Sequence, residues 1–483
     1  MNQSLTLPMA DKFYHDKQTS AFIRSVNVSW EKPEKDHYYL EYSYNQKDWY
    51  ALNGGFPIVL PCDELSVTDA LETQDPNGET ISVAALSSLQ NKYGKPEPVC
   101  IQSVERCESD PETVQVTYTN GMKEIRNIIR SEDGIGHIQD NDYAAPIISH
   151  RADPYIYKHT DGKYYFLGSH TDAGHNLNGT YQYLYIILRC ADTLEDLTDN
   201  SGRYTEKVIY EREPIGPDRV SPHLWAPEIH YIQGGWYVYY TTTVSDHSSW
   251  RIRPHCLACT GDDPMNDPWI TKGPIQTTVE NDIAFTDFSL DHTFFHHKGE
   301  DYFVWAQKTN NISDIFIAKL SNPWTICTPS VLLTHPEYNW ELHGFAAVIK
   351  HGGRIFLTFS ASGTDALYNM GLLYADEDSD LLDSSSWTKL PYPVFQSSRA
   401  TGFFGPGHNS FTRSTDDTED LMVYHARQEE RYLGEGDYQP LYDAGRNAYI
   451  GKVFWDEDGM PNFSVPGASL AMRKEDLTLP DHW

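Results

Sequence analysis

Three acidic side chains occupy similar places in a repeated sequence pattern and could do acid–base chemistry together. Asp153 lies in RADPYIYKHTDGKYYF, Glu228 in WAPEIHYIQGGWYVYY, and Asp291 in LDHTFFHHKGEDYFVWA. Carboxylates brought together from separate parts of a chain can serve as acid and base across a glycosidic bond, with about 6.5 to 9.5 Å between them in inverting reactions. An isolated Asp before a strand is ordinary turn chemistry. The three residues therefore predict a site only if the fold makes them converge.

The elements that must position these residues are hairpins. The stretch from Arg151 to His170 runs through an alternating strand, a Thr-Asp-Gly turn and an aromatic strand, which is typical of a β-hairpin. Four further copies of this unit begin at Ala226, Leu290, Ala346 and Gly405, roughly 55 to 75 residues apart. Five such units cannot each bury both faces alone, so the pattern predicts an all-β fold with a five-bladed β-propeller. The first strand of each blade begins near the axis, which would gather the carboxylates at one end of the pore.

The residues before the repeats have a different character. We predict that residues 1–140 form a small N-terminal β-sandwich-like module and that residues 141–483 form the propeller. Residues 36–61 are typical of paired strands, and Val114, Val116 and Tyr118 alternate into a Thr-Asn-Gly turn. This last phrase resembles bacterial immunoglobulin-like domains, so the module is expected to be immunoglobulin-like in part.

Composition narrows the class of partner. A formal net charge of −32 argues against nucleic acid or an anionic membrane surface, because both need clustered Lys and Arg. Aromatic residues make up 13% of the chain, which suits stacking against sugar rings as well as filling blade interfaces. Seven cysteines, and a start (MNQSLTLPMADKFYHDK) that lacks an apolar segment, predict a cytoplasmic protein with reduced thiols. The sequence contains no run of 18 apolar residues, so we predict no membrane-spanning helix.

The phrases SPHLWAPEIHYIQGGWYVYY, FSLDHTFFHHKGEDYFVWAQK, MGLLYADEDSDLLDSSSWTK, FFGPGHNSF and LMVYHAR resemble glycoside hydrolase family 43. The likeness is strongest to its α-L-arabinofuranosidase-like and β-xylosidase-like members and covers roughly residues 150 to 465, with every blade in order. The resemblance implies a five-bladed propeller that hydrolyses arabinose- or xylose-containing polysaccharides such as xylan, or the derived oligosaccharides, with inversion. A carbohydrate is therefore the expected partner.

The resemblance also implies roles for individual residues. Asp153 would be the general base that activates water, and Asp291 the carboxylate that raises the pKa of the general acid. Trp225 would line the sugar pocket, Arg446 matches a family Arg that binds substrate, and His408 would lie near the axis where some members hold calcium. One His is not the oxygen-rich shell that calcium prefers, so waters would have to complete such a site.

Two positions depart from the family. Arabinofuranosidase-like members tend to carry an Arg where this chain has Tyr449, which predicts a change in the contacts to the sugar. The general acid usually stands in a Glu-Gly-Pro at the head of the fourth repeat, where this chain has Gly344, Phe345 and Ala346. Loss of a proton donor costs roughly 10²- to 10⁴-fold in rate when the leaving group is a sugar.

Three hypotheses explain the missing acid. Glu341 could replace it, or His343 could donate the proton as an imidazolium. The third hypothesis is a weakened propeller that only binds carbohydrate, as a lectin-like or regulatory module. A protein-interaction scaffold, a use found for many propellers, is a further alternative and predicts no sugar affinity.

Overall fold

The computed structural model describes most of residues 101–467 and, before them, only the backbone of short strands. The longest undescribed stretches after residue 100 are 119–122, 131–135, 139–145, 171–182, 337–340, 342–344, 399–401 and 468–483. The described elements are strands and three short 3₁₀ helices, Glu195–Leu197, Ser384–Ser386 and Pro440–Tyr442. The chain is thus all-β as predicted. In the part of the chain that the structure describes, no helix is long and apolar enough to cross a membrane.

The N-terminal strands form antiparallel pairs. One sheet contains β1 to β5 and a second contains β8 to β11, while β6 pairs with β7. Their bounds are β1 (His15–Asp16), β2 (Ala21–Asn27), β3 (His37–Ser43), β4 (Tyr50–Ala51), β5 (Ile58–Val59), β6 (Thr73–Gln74), β7 (Thr80–Ile81), β8 (Ile101–Arg106), β9 (Thr113–Tyr118), β10 (Lys123–Arg130) and β11 (Gly136–Ile138). The predicted pairing within residues 36–61 is confirmed by β3 and β5. The sandwich-like, immunoglobulin-like packing and the boundary at residue 141 remain predictions.

Five sheets follow, and each is built outward from an inner hairpin, which confirms the predicted five-bladed propeller. Blade 1 comprises β12 (Arg151–Lys158), β13 (Tyr164–His170), β14 (Tyr185–Ala191) and β15 (Thr205–Glu211), and the hairpin of β16 (Pro214–Gly216) and β17 (Arg219–Val220) follows it. Blade 2 comprises β18 (Leu224–Ile232), β19 (Gly235–Thr243), β20 (Ile252–Cys259) and β21 (Trp269–Pro274).

Blades 3 to 5 continue the pattern. Blade 3 contains β22 (Gln276–Thr277), β23 (Ser289–His297), β24 (Glu300–Thr309), β25 (Ile312–Asn322), β26 (Thr325–Ile326) and β27 (Val331–Thr334). Blade 4 contains β28 (Phe345–His351), β29 (Arg354–Ala361), β30 (Asn369–Asp376) and β31 (Thr388–Lys389). Blade 5 contains β32 (Phe404–Arg413), β33 (Asp420–Arg427) and β34 (Asn447–Lys452), and a pair formed by β35 (Phe454–Trp455) and β36 (Pro461–Asn462) follows it.

The hydrophobic core lies between the blades. Successive side chains of a strand point to opposite faces of its sheet, so one strand supplies two neighbouring interfaces. On β13, Tyr164 and Phe166 pack toward blade 5, whereas Tyr165 and Leu167 pack toward blade 2. Similar clusters fill the interfaces of blades 2 and 3, 3 and 4, and 4 and 5. Burial on both faces explains why the second strands of the blades, such as β13, β19 and β29, are rich in apolar residues.

The ring is closed by residues that come before the first blade. Ile148 forms a bridge with Ala448 of β34, and the Ile147 amide donates to the Ala448 carbonyl at 2.9 Å. The His150 amide also donates to the Asn447 side chain at 2.9 Å. Chain segments about 300 residues apart thereby complete the edge of blade 5, which leaves fewer unpaired strand edges in the ring.

Candidate active site

Four inner strands carry a bulge at the same place, next to the axis. Asp153, Ala226, Asp291 and His408 have positive φ values of 52°, 47°, 48° and 47°, and each lies at a register shift between the inner strand and its partner. Side chains other than Gly rarely adopt this conformation, and a bulge re-aims the side chain that it carries. The bulges therefore explain how the predicted residues of blades 1, 3 and 5 come to face the axis.

Three of these strained positions have their backbone amide bound by a side chain of the preceding blade. The Ala226 amide donates to Ser169 Oγ at 2.8 Å, and the His408 amide donates to Ser360 Oγ at 2.6 Å. The Asp153 amide donates to His425 Nδ1 at 3.1 Å. These three acceptors occupy equivalent places, because each pairs with a residue at the axial end of its own inner strand. We call these contacts the interblade amide bonds.

Asp153 is held by groups from blades 1 and 5. Its Oδ2 accepts a 2.6 Å hydrogen bond from Ser169, and its Oδ1 lies 3.2 Å from His408 Nδ1 and 3.5 Å from Arg446 Nη1. Burial alone would raise the pKa of Asp153, but His408, Arg446 and His425 together hold this pKa far below its usual range. The carboxylate is therefore ionised, which is the state that a general base needs.

The imidazoles beside Asp153 are neutral. Burial lowers the pKa of His408 to about 3 and that of His425 to about 4. In contrast, the pKa of Arg446 is raised: burial would lower it, but Asp153 and other acidic groups outweigh that effect. The permanent positive charge next to Asp153 thus belongs to Arg446, whose Nη2 also donates to the Leu441 carbonyl at 2.7 Å.

Asp291 shares the electrostatic environment of Asp153. Burial raises its pKa well above the usual range, the charge of Asp153 raises it further, and Arg446 opposes this effect. Two carboxylates in one site with pKa values pushed in opposite directions are the arrangement from which acid and base roles arise. Asp153, Asp291 and Arg446 thus lie within electrostatic range of one another, and their roles in catalysis and substrate binding stay predictions.

Glu228, the third acidic residue, lies within electrostatic range of Asp291 and is paired with a histidine. Its Oε2 is 3.0 Å from His230 Nε2, and the other ring nitrogen of His230 is 3.3 Å from the Tyr155 hydroxyl. Burial raises the pKa of Glu228 well above its usual range and lowers that of His230 to about 3. The pair is therefore a hydrogen bond between neutral groups, which supports the wall of the site.

Trp225, the predicted wall of the sugar pocket, packs against other aromatic rings. Its ring lies 5.8 Å from that of Tyr183 and 4.0 Å from that of His223, measured between centroids. The Trp225 side chain is largely buried, and its Nε1 has no hydrogen-bond partner among the described residues. Tyr449, in contrast, packs against Phe403 and belongs to the core between blades 4 and 5. Tyr449 thus supplies no group to replace the family's Arg, and the expected change in the contacts to the sugar stays a prediction.

Of the two residues considered as replacements for the general acid, the structure describes Glu341 but not His343. Glu341 is buried, and its Oε1 and Oε2 lie 2.8 and 2.9 Å from Lys389 Nζ on the outermost strand of blade 4. The same ammonium donates to Thr334 Oγ1 and the His335 carbonyl, both at 2.8 Å. This contact gives Glu341 a structural explanation. His343 lies outside the described residues.

The described residues do not form a calcium site. No group of three or more His, Cys, Asp or Glu side chains lies together in the described part of the chain in a way that could hold a metal ion. His408, the predicted ligand, points its Nδ1 at Asp153, beside the positive charge of Arg446. Calcium prefers six to eight oxygen ligands. Calcium binding remains a prediction, and no step of the chemistry is assigned to it.

Comparisons with known proteins agree with this geometry. Residues 143–461 match the glycosyl hydrolases of family 43. An extracellular exo-α-(1→5)-L-arabinofuranosidase of Streptomyces avermitilis is 40% identical over 355 residues, which are 71% of this chain and 68% of the relative. Alpha-L-arabinofuranosidase 43 of Humicola insolens is 42% identical over 333 residues, 67% of this chain and 63% of the relative. The crystal structure of an α-L-arabinofuranosidase from Lactobacillus brevis is 41% identical, with a TM-score of 0.59 over 68% of this chain and 98% of that one.

These relatives also correct one expectation. The enzymes of Streptomyces avermitilis and Streptomyces chartreusis, 40% and 39% identical to this chain, are both named as extracellular. The prediction of a cytoplasmic protein is therefore wrong, because cysteine count and the first residues of the sequence do not determine the compartment. The match over residues 143–461, together with the relatives at 40% and 42% identity, shows that this chain belongs to glycosyl hydrolase family 43.

Proposed function

We propose that this family 43 glycoside hydrolase removes terminal α-L-arabinofuranosyl residues from arabinose-containing oligosaccharides, with inversion and outside the cell. The observation that carries the proposal is the pair of carboxylates, Asp153 and Asp291, on matching bulges beside Arg446. The relatives at 40% and 42% identity, both named as arabinofuranosidases, support arabinose over xylose.

In the proposed mechanism, Asp153 accepts a proton from the water that attacks the anomeric carbon. Its ionised state is maintained by Arg446, and its orientation is fixed by Ser169. Trp225 would pack against the sugar ring. Asp291 would tune the proton donor through its charge and position.

We propose His343 as that proton donor. It precedes β28, the innermost strand of blade 4, by two residues, which is the region where the family carries its acid. Glu341, the other candidate, already has Lys389 as a close partner, and a neighbouring ammonium favours the ionised carboxylate rather than the protonated form that donates.

The proposal is tested by measuring turnover of nitrophenyl α-L-arabinofuranoside, nitrophenyl β-D-xylopyranoside and arabino-oligosaccharides. Asp153→Asn should lower kcat on every active substrate by about 10³-fold or more, because an amide cannot accept the proton from water. Asp161→Asn is the matched control, since Asp161 lies in the exposed turn of the same hairpin. Proton NMR of the first product formed should show the inverted anomer.

Three results would contradict parts of the proposal. Preference for the xyloside would mean that the substrate sugar is xylose instead of arabinose. Retention of activity in Asp153→Asn would mean that Asp153 is not the general base. Affinity for arabino-oligosaccharides without turnover would favour the alternative that the propeller only binds carbohydrate. The sequence supports this alternative because it lacks the usual Glu at the head of the fourth repeat.

A further inference from the structure

Ser169 joins the two sides of the site through one hydroxyl group. Its Oγ donates to Asp153 Oδ2 at 2.6 Å and accepts from the Ala226 amide at 2.8 Å, and the side chain is fully buried. A hydroxyl has one proton and two lone pairs. Because the amide of blade 2 occupies a lone pair, the proton is left to point at the carboxylate.

The contact connects two elements that must agree in position. Ala226 directly follows Trp225, so the amide bound by Ser169 belongs to the peptide that carries the aromatic wall. Asp153 lies on the inner strand of blade 1 and Trp225 on that of blade 2. We infer that Ser169 is a positioning residue that aligns the proposed base with the sugar-binding wall, an inference that rests on the proposed role of Asp153.

The equivalent places in other blades show that this arrangement is particular to blade 1. Thr241 in blade 2 is buried, and its hydroxyl has no hydrogen-bond partner in the described part of the chain. Blade 3 has Ala306, which has no polar side-chain atom. Ser360 in blade 4 accepts the His408 amide. Among the described residues at these equivalent places, Ser169 is the one whose hydroxyl donates a hydrogen bond to a carboxylate.

Ser397 offers a closely matched control. Its Oγ donates at 2.6 Å to the Ala366 carbonyl and accepts from the Gly405 amide at 2.8 Å, and it is buried to the same degree as Ser169. The two serines therefore donate and accept at the same lengths, but the bond donated by Ser397 ends on a neutral carbonyl and that of Ser169 on the Asp153 carboxylate. Replacing either by Ala should lower the thermal midpoint, and Ser169→Ala should lower it more, because a hydrogen bond to a charged group is the stronger one.

The experiment measures kcat and KM of Ser169→Ala and Ser397→Ala on nitrophenyl α-L-arabinofuranoside, well below both thermal midpoints. We expect kcat of Ser169→Ala to be at least about tenfold below that of Ser397→Ala, because small misplacement of a reacting group costs one to two orders of magnitude. KM should change less than kcat. Ser169→Thr should restore most of kcat, since it keeps the hydroxyl and Thr stands at the equivalent place of blade 2.

Equal kcat in the two Ala variants, within about twofold, would overturn the inference and leave Ser169 a structural residue. Asp153→Asn in the same assay separates this result from a failure of the proposed function, because an active Asp153→Asn would remove the base itself. If Ser169→Ala does not fold, Ser169→Cys takes its place, since a thiol fits the site but is a weak donor, and the same loss of kcat is expected.

Discussion

Blades 1 and 4 begin with the same kind of hairpin but present it to the axis differently. In blade 1 the inner strand is interrupted at Asp153, where the register shifts and φ becomes positive. In blade 4 the described inner strand pairs without interruption from Phe345 to His351. A bulge costs strain and a regular ladder does not, so the bulge is found where a side chain must be re-aimed.

The preceding blades differ in the same way. The bulged amide of Asp153 is bound by His425 of blade 5, whereas blade 3 places Ala306 at the equivalent position. An Ala side chain cannot accept a hydrogen bond, so it cannot support a bulge in the next strand as His425 does. The part of blade 4 that the structure describes thus has no bulge in its inner strand, and the Ala306 side chain of the preceding blade offers no acceptor there. Asp153 and the groups that contact it lie in blades 5 and 1.

The first prediction tests whether blade 4 still supplies a proton. His343→Ala should lower turnover of arabino-oligosaccharides by about 10²-fold and leave nitrophenyl arabinofuranoside nearly unaffected, because a nitrophenolate leaves without protonation whereas a sugar alkoxide does not. His343→Glu should recover the oligosaccharide activity, since it places a carboxylic acid in the region where the family has one. The measurement is the ratio of kcat/KM for the two substrates.

An unchanged ratio in both variants would mean that blade 4 donates no proton. Equal loss on both substrates would instead indicate a general disturbance of the site.

The second prediction separates catalysis from stability in the connection between blades 3 and 4. Glu341→Gln should change kcat less than about threefold but lower the free energy of unfolding by about 3 kcal/mol, because it leaves the buried Lys389 ammonium without its counter-charge. Thermal unfolding and kcat on oligosaccharides are measured on the same preparations. Lys389→Met combined with Glu341→Gln should recover part of the stability. A large loss of kcat on oligosaccharides alone would restore Glu341 as the candidate acid.

Sequence patterns predicted the fold well because the signals are local. Alternation and turn residues define each hairpin over about 20 residues, and five copies define a propeller. Asp153 and Asp291 were singled out because they stand at the start of such hairpins, and their catalytic roles stay predictions. The partners that hold them were not singled out, since His425 is 272 residues from Asp153 in the chain and Ser169 is an ordinary strand residue. An alignment of the second strands of the five blades would have shown hydrogen-bonding side chains at one equivalent position, namely Ser169, Ser360 and His425.

Glu341 is a residue whose partner could not be predicted from the sequence. Its neighbours in sequence suggested a displaced acid, but its actual partner, Lys389, is 48 residues away on the outermost strand of the blade. Side-chain pairs of this kind carry no periodic signal. Likewise, the bridge between Ile148 and Ala448 joins the two ends of the propeller, and neither residue type indicates it.

The third prediction compares Ser360, which accepts an interblade amide bond, with Thr241, whose hydroxyl has no such bond in the described part of the chain. Ser360→Ala removes the acceptor of the His408 amide and should destabilise the protein by about 1 to 3 kcal/mol, because a buried donor is left unsatisfied. Thr241→Val should instead be neutral or stabilise by up to about 1 kcal/mol, since the Thr241 hydroxyl is buried with no partner in the described part of the chain and Val has nearly the same shape. Thermal unfolding under identical conditions measures both. If Thr241→Val were as destabilising as Ser360→Ala, the hydroxyl of blade 2 would have to bind the bulge of Asp291 in solution, and the interblade amide bonds would then be interrupted only between blades 3 and 4, where the family's acid is missing.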